Sequence, residues 1–105
     1  MVSKVSDITI KDVANYLKLD DDYNENEIET YLNIAINYIS NYTGIPEADE
    51  DDDEDADTLD SYADFIIVVY ILCQDMHDNR CMYVDKANVN KTVQTILDMH
   101  VRNFL

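Results

Sequence analysis

The chain has 105 residues, 47 % of them hydrophobic, and a net charge of −16. This length implies one domain with a thin core, burying about 60–65 % of the unfolded surface, and the hydrophobic share speaks against global disorder. One Gly and one Pro in the whole chain are too few for the many tight turns of an all-β fold, and favour helices.

Charge is unevenly spread. From Asp20 to Asp78 there are 19 acidic residues and no Lys or Arg, while the two ends together carry 7 basic and 4 acidic residues, a local balance of +3. So negative a middle repels phosphates and speaks against direct gripping of nucleic acid. Two cysteines, Cys73 and Cys81, do not make a secreted disulfide framework. The opening MVSKVSDITI has no long apolar region and predicts no secretion signal. The longest apolar run, Phe65 to Cys73, is far short of the roughly 20 residues a membrane-spanning helix needs. A soluble protein made in the cytoplasm is the expectation.

Four helices can be placed in chain order. The first starts at Thr9, whose hydroxyl can cap it with Asp12 in the first turn. Val13, Tyr16 and Leu17 follow at helical spacing, and the segment stops near Asp20. The second begins at Asn24, with Glu27 at capping-box distance. Ile28, Tyr31, Leu32, Ala35, Ile39 and Tyr42 recur at steps of three and four, one face of an α-helix. Ile34 and Tyr38 make a smaller second stripe, which predicts two partners for this helix. Gly44 supplies a C-terminal cap and Pro46 forbids continuation.

Next comes EADEDDDEDAD, Glu47 to Asp57, with nine carboxylates in eleven residues. The plain reading is a solvated, flexible loop over residues 46–58 between two helices. Beyond it, Ser61 and Asp64 offer a capping box for a third helix. Phe65 to Cys73 is apolar at every position and, alone, fits a buried strand. The wider pattern Tyr62, Phe65, Val69, Leu72 or Cys73, Met76 and Arg80 is helical and too long for a usual strand. A fourth helix begins near Asn88 or Asn90 and puts Val93, Ile96, Leu97, His100, Val101 and Phe104 on one face. The expected fold is all-α: one domain, residues 1–105, a small bundle of four helices with a long acidic loop between helices 2 and 3.

The acidic run fails as a calcium loop. From Asp49 the alternation of an EF-hand is met, but Glu54 stands where Gly makes the sharp turn and Asp60 replaces the closing Glu. Acids at the helix starts complement the helix dipole, which accounts for a few of them but not for nine in a row. In CQDMHDNRC, Cys73, His77 and Cys81 step by four. On a continuous helix the two cysteines stand about 12 Å apart, too far for one zinc ion or a disulfide. The reading is a buried Cys73 and a helix ending near Asn79. No phosphate-cradling Gly-rich loop, nucleophile elbow or HExxH is present, and solvated, mutually repelling acids are poor acid–base catalysts. No enzyme activity, cofactor or metal is expected.

The chain resembles the phage head–tail connector family, the head-completion adaptors of tailed double-stranded-DNA phages. The resemblance lies in ITIKDVANYL from Ile8 to Leu17, YISNYTG from Tyr38 to Gly44, the apolar third helix ending in Asp78-Asn79-Arg80, and the stretch from Val93 to Leu105 with TILDMHVRNFL at the end. It covers nearly the whole chain except the acidic insert, through packing and capping patterns in order. It implies a structural virion protein without catalytic residues. Subunits would join head to tail in a ring of about a dozen copies. One face would dock on the portal protein, and a head-closure or tail-completion protein would bind the other. DNA would pass through the hole without specific binding.

Two segments are the expected contact sites. Glu47, Asp49, Glu50, Asp51, Asp52, Asp53, Glu54, Asp55 and Asp57 would either line the channel, denying DNA phosphate contacts, or face outward toward a basic partner. Arg102, Asn103, Phe104 and Leu105 would either complete the core or hook into the portal. The alternative from another class is an acidic DNA mimic that inhibits a host DNA-binding protein. Mimicry requires carboxylates at phosphate-like spacing on rigid elements, whereas these are concentrated in an expected loop.

Overall fold

The computed structural model describes Val2, residues 4–47, residues 58–79, Val84 and residues 89–101. These residues form four helices, α1 (Ile10–Tyr16), α2 (Glu25–Thr43), α3 (Phe65–Asp78) and α4 (Lys91–His100), with 3₁₀ turns at Val5–Asp7 and Leu59–Ser61. There is no strand among them. The chain is a small all-α bundle, and none of its described helices is long and apolar enough to cross a membrane.

Local chemistry sets the starts of α1, α2 and α4. At α1 the Thr9 hydroxyl accepts from the Asp12 amide at 3.1 Å, and the Asp12 carboxylate accepts from the Thr9 amide at 2.9 Å. This reciprocal box satisfies two amides that would otherwise lack partners. At α2 the Asn24 carbonyl oxygen accepts from the amides of Asn26 and Glu27. The Glu27 carboxylate does not complete the expected box; it accepts from the Tyr31 hydroxyl at 2.6 Å. Asn90 caps α4 through the Thr92 amide.

Helix ends differ from expectation in three places. α1 stops at Tyr16, and Lys18 takes a left-handed φ of 59°. The Leu19 amide then reaches back to the Ala14 carbonyl, a helix stop usually made by Gly. Ser61 does not cap α3, because it lies in the second 3₁₀ turn and pairs there with Thr58. Asp64 stands at the cap position with helical angles and no capping bond, since its carboxylate is drawn elsewhere. α4 ends at His100, and Val101 is extended and 45 % exposed, so it leaves the apolar face assigned to it. Phe104 lies outside the described residues.

α2 and α3 together form the centre of the bundle, and each contacts the other three helices. Phe65, Val68, Val69, Leu72, Cys73 and Met76 are buried, the face expected from helical spacing. α2 lays Ile28, Tyr31, Leu32, Ala35 and Ile39 into the core. The second stripe, Ile34 and Tyr38, is half-buried against the core; Tyr38 stacks obliquely on Tyr42 of the first face, 5.8 Å between ring centres, and the Tyr42 hydroxyl donates to Asp98 of α4 at 2.5 Å. α4 contributes Val93 and Leu97, both fully buried.

Candidate functional site

The acidic tract begins where α2 stops. Gly44 ends that helix with φ 77°, and its amide donates to the Ser40 carbonyl. Buried Thr43 then organises the exit: its hydroxyl donates to the Ile39 carbonyl at 2.8 Å and accepts from the Ile45 amide at 3.2 Å. The Ser40 hydroxyl takes the Ile45 carbonyl at 2.8 Å. With its amide and carbonyl both satisfied, Ile45 can be buried at 1 % exposure.

Glu47 is exposed. The other predicted carboxylates, Asp49, Glu50, Asp51, Asp52, Asp53, Glu54, Asp55 and Asp57, lie outside the described residues. The tract's two ends are nevertheless fixed. The Leu59 amide donates to the Pro46 carbonyl at 3.0 Å, and both Ile45 and Leu59 are buried to 1 %. The chain therefore departs and returns through one clamped base. Asp60, at the position that would close a calcium loop, has both carboxylate oxygens engaged by Ser6. The Ser6 amide donates at 2.8 Å and its hydroxyl at 2.6 Å. The N-terminal turn is thereby tied to the base of the tract.

The end of α4 meets the turn that follows the tract. Arg102, Asn103, Phe104 and Leu105 lie outside the described residues, but the helix that delivers them ends at His100. The His100 Nε2 is 2.8 Å from the Asp64 carboxylate. Its ring lies 4.6 Å from Tyr62 and 4.9 Å from Phe65, centre to centre. The pairing explains why Asp64 does not cap α3. The pairs Ser6–Asp60, Pro46–Leu59 and Asp64–His100 bring the N-terminal turn, the two described ends of the acidic tract and the end of α4 together along residues 59–64. Sequence reading missed this convergence, because nothing local in a His or an Asp signals a partner 36 residues away.

The cysteine–histidine run makes no metal centre among the described residues. Cys73 is fully buried, and burial pushes its thiol up to about 12, so it is protonated at neutral pH. α3 ends at Asp78 with Asn79 as its cap, as the sequence suggested. His77 packs edge-on to Tyr31, 6.2 Å between centres, and its Nδ1 is buried without a hydrogen-bond partner among the described residues. Cys81 lies outside the described residues.

No family model, curated protein or solved structure matches the chain. The functional reading rests on these contacts and on the sequence patterns.

Proposed function

We propose that the protein is a structural virion subunit, a head–tail connector that forms a ring on the portal and joins the DNA-filled head to the tail. The observation that supports this reading is the meeting of the N-terminal turn, the two described ends of the acidic tract and the end of α4 along residues 59–64 of a small helical bundle. A ring subunit needs one surface for the next copy and separate surfaces for unlike neighbours above and below. A bundle end where these described segments meet offers such a docking surface, while its other faces remain for neighbours.

Electrostatics adds a direction. The acidic middle of one copy faces the +3 ends of the next, and association is steered by that match. Exposed charges are screened beyond about 8 Å at physiological ionic strength, so the ring weakens as salt rises. The acidic tract, turned to the channel, keeps passing DNA from sticking by refusing it phosphate contacts.

The test is to mix the purified chain with portal rings and image the product by electron microscopy across a salt series. A ring seated on the portal at low salt supports the reading. Failure to associate with portal at any salt, together with competitive inhibition of a DNA-binding enzyme, replaces it with the DNA-mimic alternative. Replacing the nine acids of residues 47–57 by Ser then places the tract: increased DNA retention in the channel supports the inward position, and unchanged retention the outward one.

A further inference from the structure

α3 has more apolar residues than the core can take. Its inner face uses Phe65, Val68, Val69, Leu72, Cys73 and Met76, which leaves Ile67 46 % exposed and Ile66, Tyr70 and Ile71 only partly covered. α1 runs alongside and sorts its own surface. Asp12 and Tyr16, one turn apart, share the side toward Tyr70, whereas Lys11 and Asn15 fall on another side of the helix. Tyr16, itself 40 % exposed, stacks on Tyr70 with ring centres 4.9 Å apart and planes within 12° of parallel. Burial and then the Asp12 charge hold the Tyr70 hydroxyl above its usual value of 10.0, which places the carboxylate within electrostatic reach of the ring pair. The Asp12 Oδ2 is held by the amide and hydroxyl of Thr9 at 2.9 and 3.0 Å. Two stacked rings, an oriented carboxylate and an exposed branched side chain thus form one continuous platform.

We propose that this platform docks an arginine-bearing segment of a basic partner protein. A guanidinium is planar, stacks on aromatic faces and pairs with carboxylates, so it satisfies the ring pair and Asp12 at once. An apolar neighbour in the same segment covers Ile67. The partner is basic because the charge beside the rings is the Asp12 carboxylate and α3 carries no Lys or Arg from Phe65 to Asp78, so a cation is the complementary group. A second copy is a poorer occupant, since it brings 23 acidic residues and only two arginines, Arg80 and Arg102. The site stands apart from the connector reading, and a neighbouring copy seated on α1, which the charge match of that reading implies, is an outcome that the sedimentation measurement below detects.

The experiment is a nuclear magnetic resonance titration of the full chain at about 150 and about 500 mM NaCl, where nonspecific attraction is screened. The ligand is an alanine-based helical peptide of about 16 residues with two arginines and one leucine on a face. A matched peptide carries citrulline, which keeps the shape and removes the charge. Shift changes centred on residues 12–16 and 66–71 are expected. Citrulline, Tyr16→Ser and Ile67→Ser should each weaken binding about tenfold, the scale of one desolvated cation–ring contact. Both substituted positions are exposed, and circular dichroism verifies that the variants fold. The proposal is overturned by absence of binding, by equal binding of the citrulline peptide, or by binding that Tyr16→Ser leaves intact. Sedimentation showing a wild-type dimer that Ile67→Ser dissolves would also overturn it, by assigning the platform to a second copy.

Discussion

Cys73 shows how one residue couples packing to proton chemistry. Its thiol is surrounded by the core, so the thiolate has neither water nor a cationic partner, and protonation persists up to about 12 instead of 9.0. In the unfolded chain the thiol ionises near its ordinary value. A folded pKa above the unfolded one means that the stabilising difference is intact below pH 9 and disappears as pH rises to 12. The unfolded state loses its proton first, so stability falls with pH across that window, by about 4 kcal/mol at most at 1.36 kcal/mol per unit. Tyr42, held up first by its hydrogen bond to Asp98, and Tyr38, held up first by burial, act with the same sign. Alkaline unfolding followed by circular dichroism should therefore be steep above pH 9, and Cys73→Val should make it shallower while leaving the tyrosine part. The native thiol should resist a thiol reagent at neutral pH until the protein unfolds.

At the scale of elements, helix stops carry testable strain. Lys18 and Gly44 occupy the same left-handed conformation after α1 and α2, at φ 59° and 77°. A side chain there clashes with the backbone, a cost of about 1 kcal/mol that Gly avoids. Lys18→Gly should raise stability by about 0.5–1 kcal/mol, and Gly44→Ala should lower it by about 1 kcal/mol; chemical denaturation measures both. The tie between α3 and α4 is a second target. With its side chains 18 % and 38 % exposed, the His100–Asp64 pair is wet, and its coupling in a cycle of His100→Gln and Asp64→Asn should be about 0.5–1 kcal/mol. His100→Ala should cost more than that coupling, because the ring also packs on Tyr62 and Phe65. Equal losses for His100→Ala and the cycle coupling would mean the aromatic contacts add nothing.

For the whole molecule, charge opposes compactness. A net −16 on so small a chain raises the energy of any state that draws the acids together. The clamp from Leu59 to Pro46 closes the ends of the acidic tract against that repulsion. Added NaCl should therefore raise the melting temperature even as it weakens charge-steered assembly, two opposite salt responses from one cause. Replacing the nine acids of residues 47–57 by Ser changes the charge from −16 to −7 and should reduce the salt dependence of melting. An unchanged slope would show that the repulsion resides in the helices.

The helices were legible because their information is local. The three- and four-residue spacing of Ile28, Tyr31, Leu32, Ala35 and Ile39, the Thr9–Asp12 box and the Gly44 stop are each written within one or two turns of chain. Ends were less legible. Lys18 takes a conformation that its residue type does not announce, and Asp64 abandons its cap for His100 because that partner is supplied by the fold. The convergence of the acidic tract, the N-terminal turn and the end of α4, and the Tyr16–Tyr70 platform, were decided by tertiary structure alone. Hydrophobic periodicity determines which face of a helix turns inward. Which polar or aromatic side chains meet on the outside depends on the angle and order in which the helices pack, and no spacing along the chain encodes that.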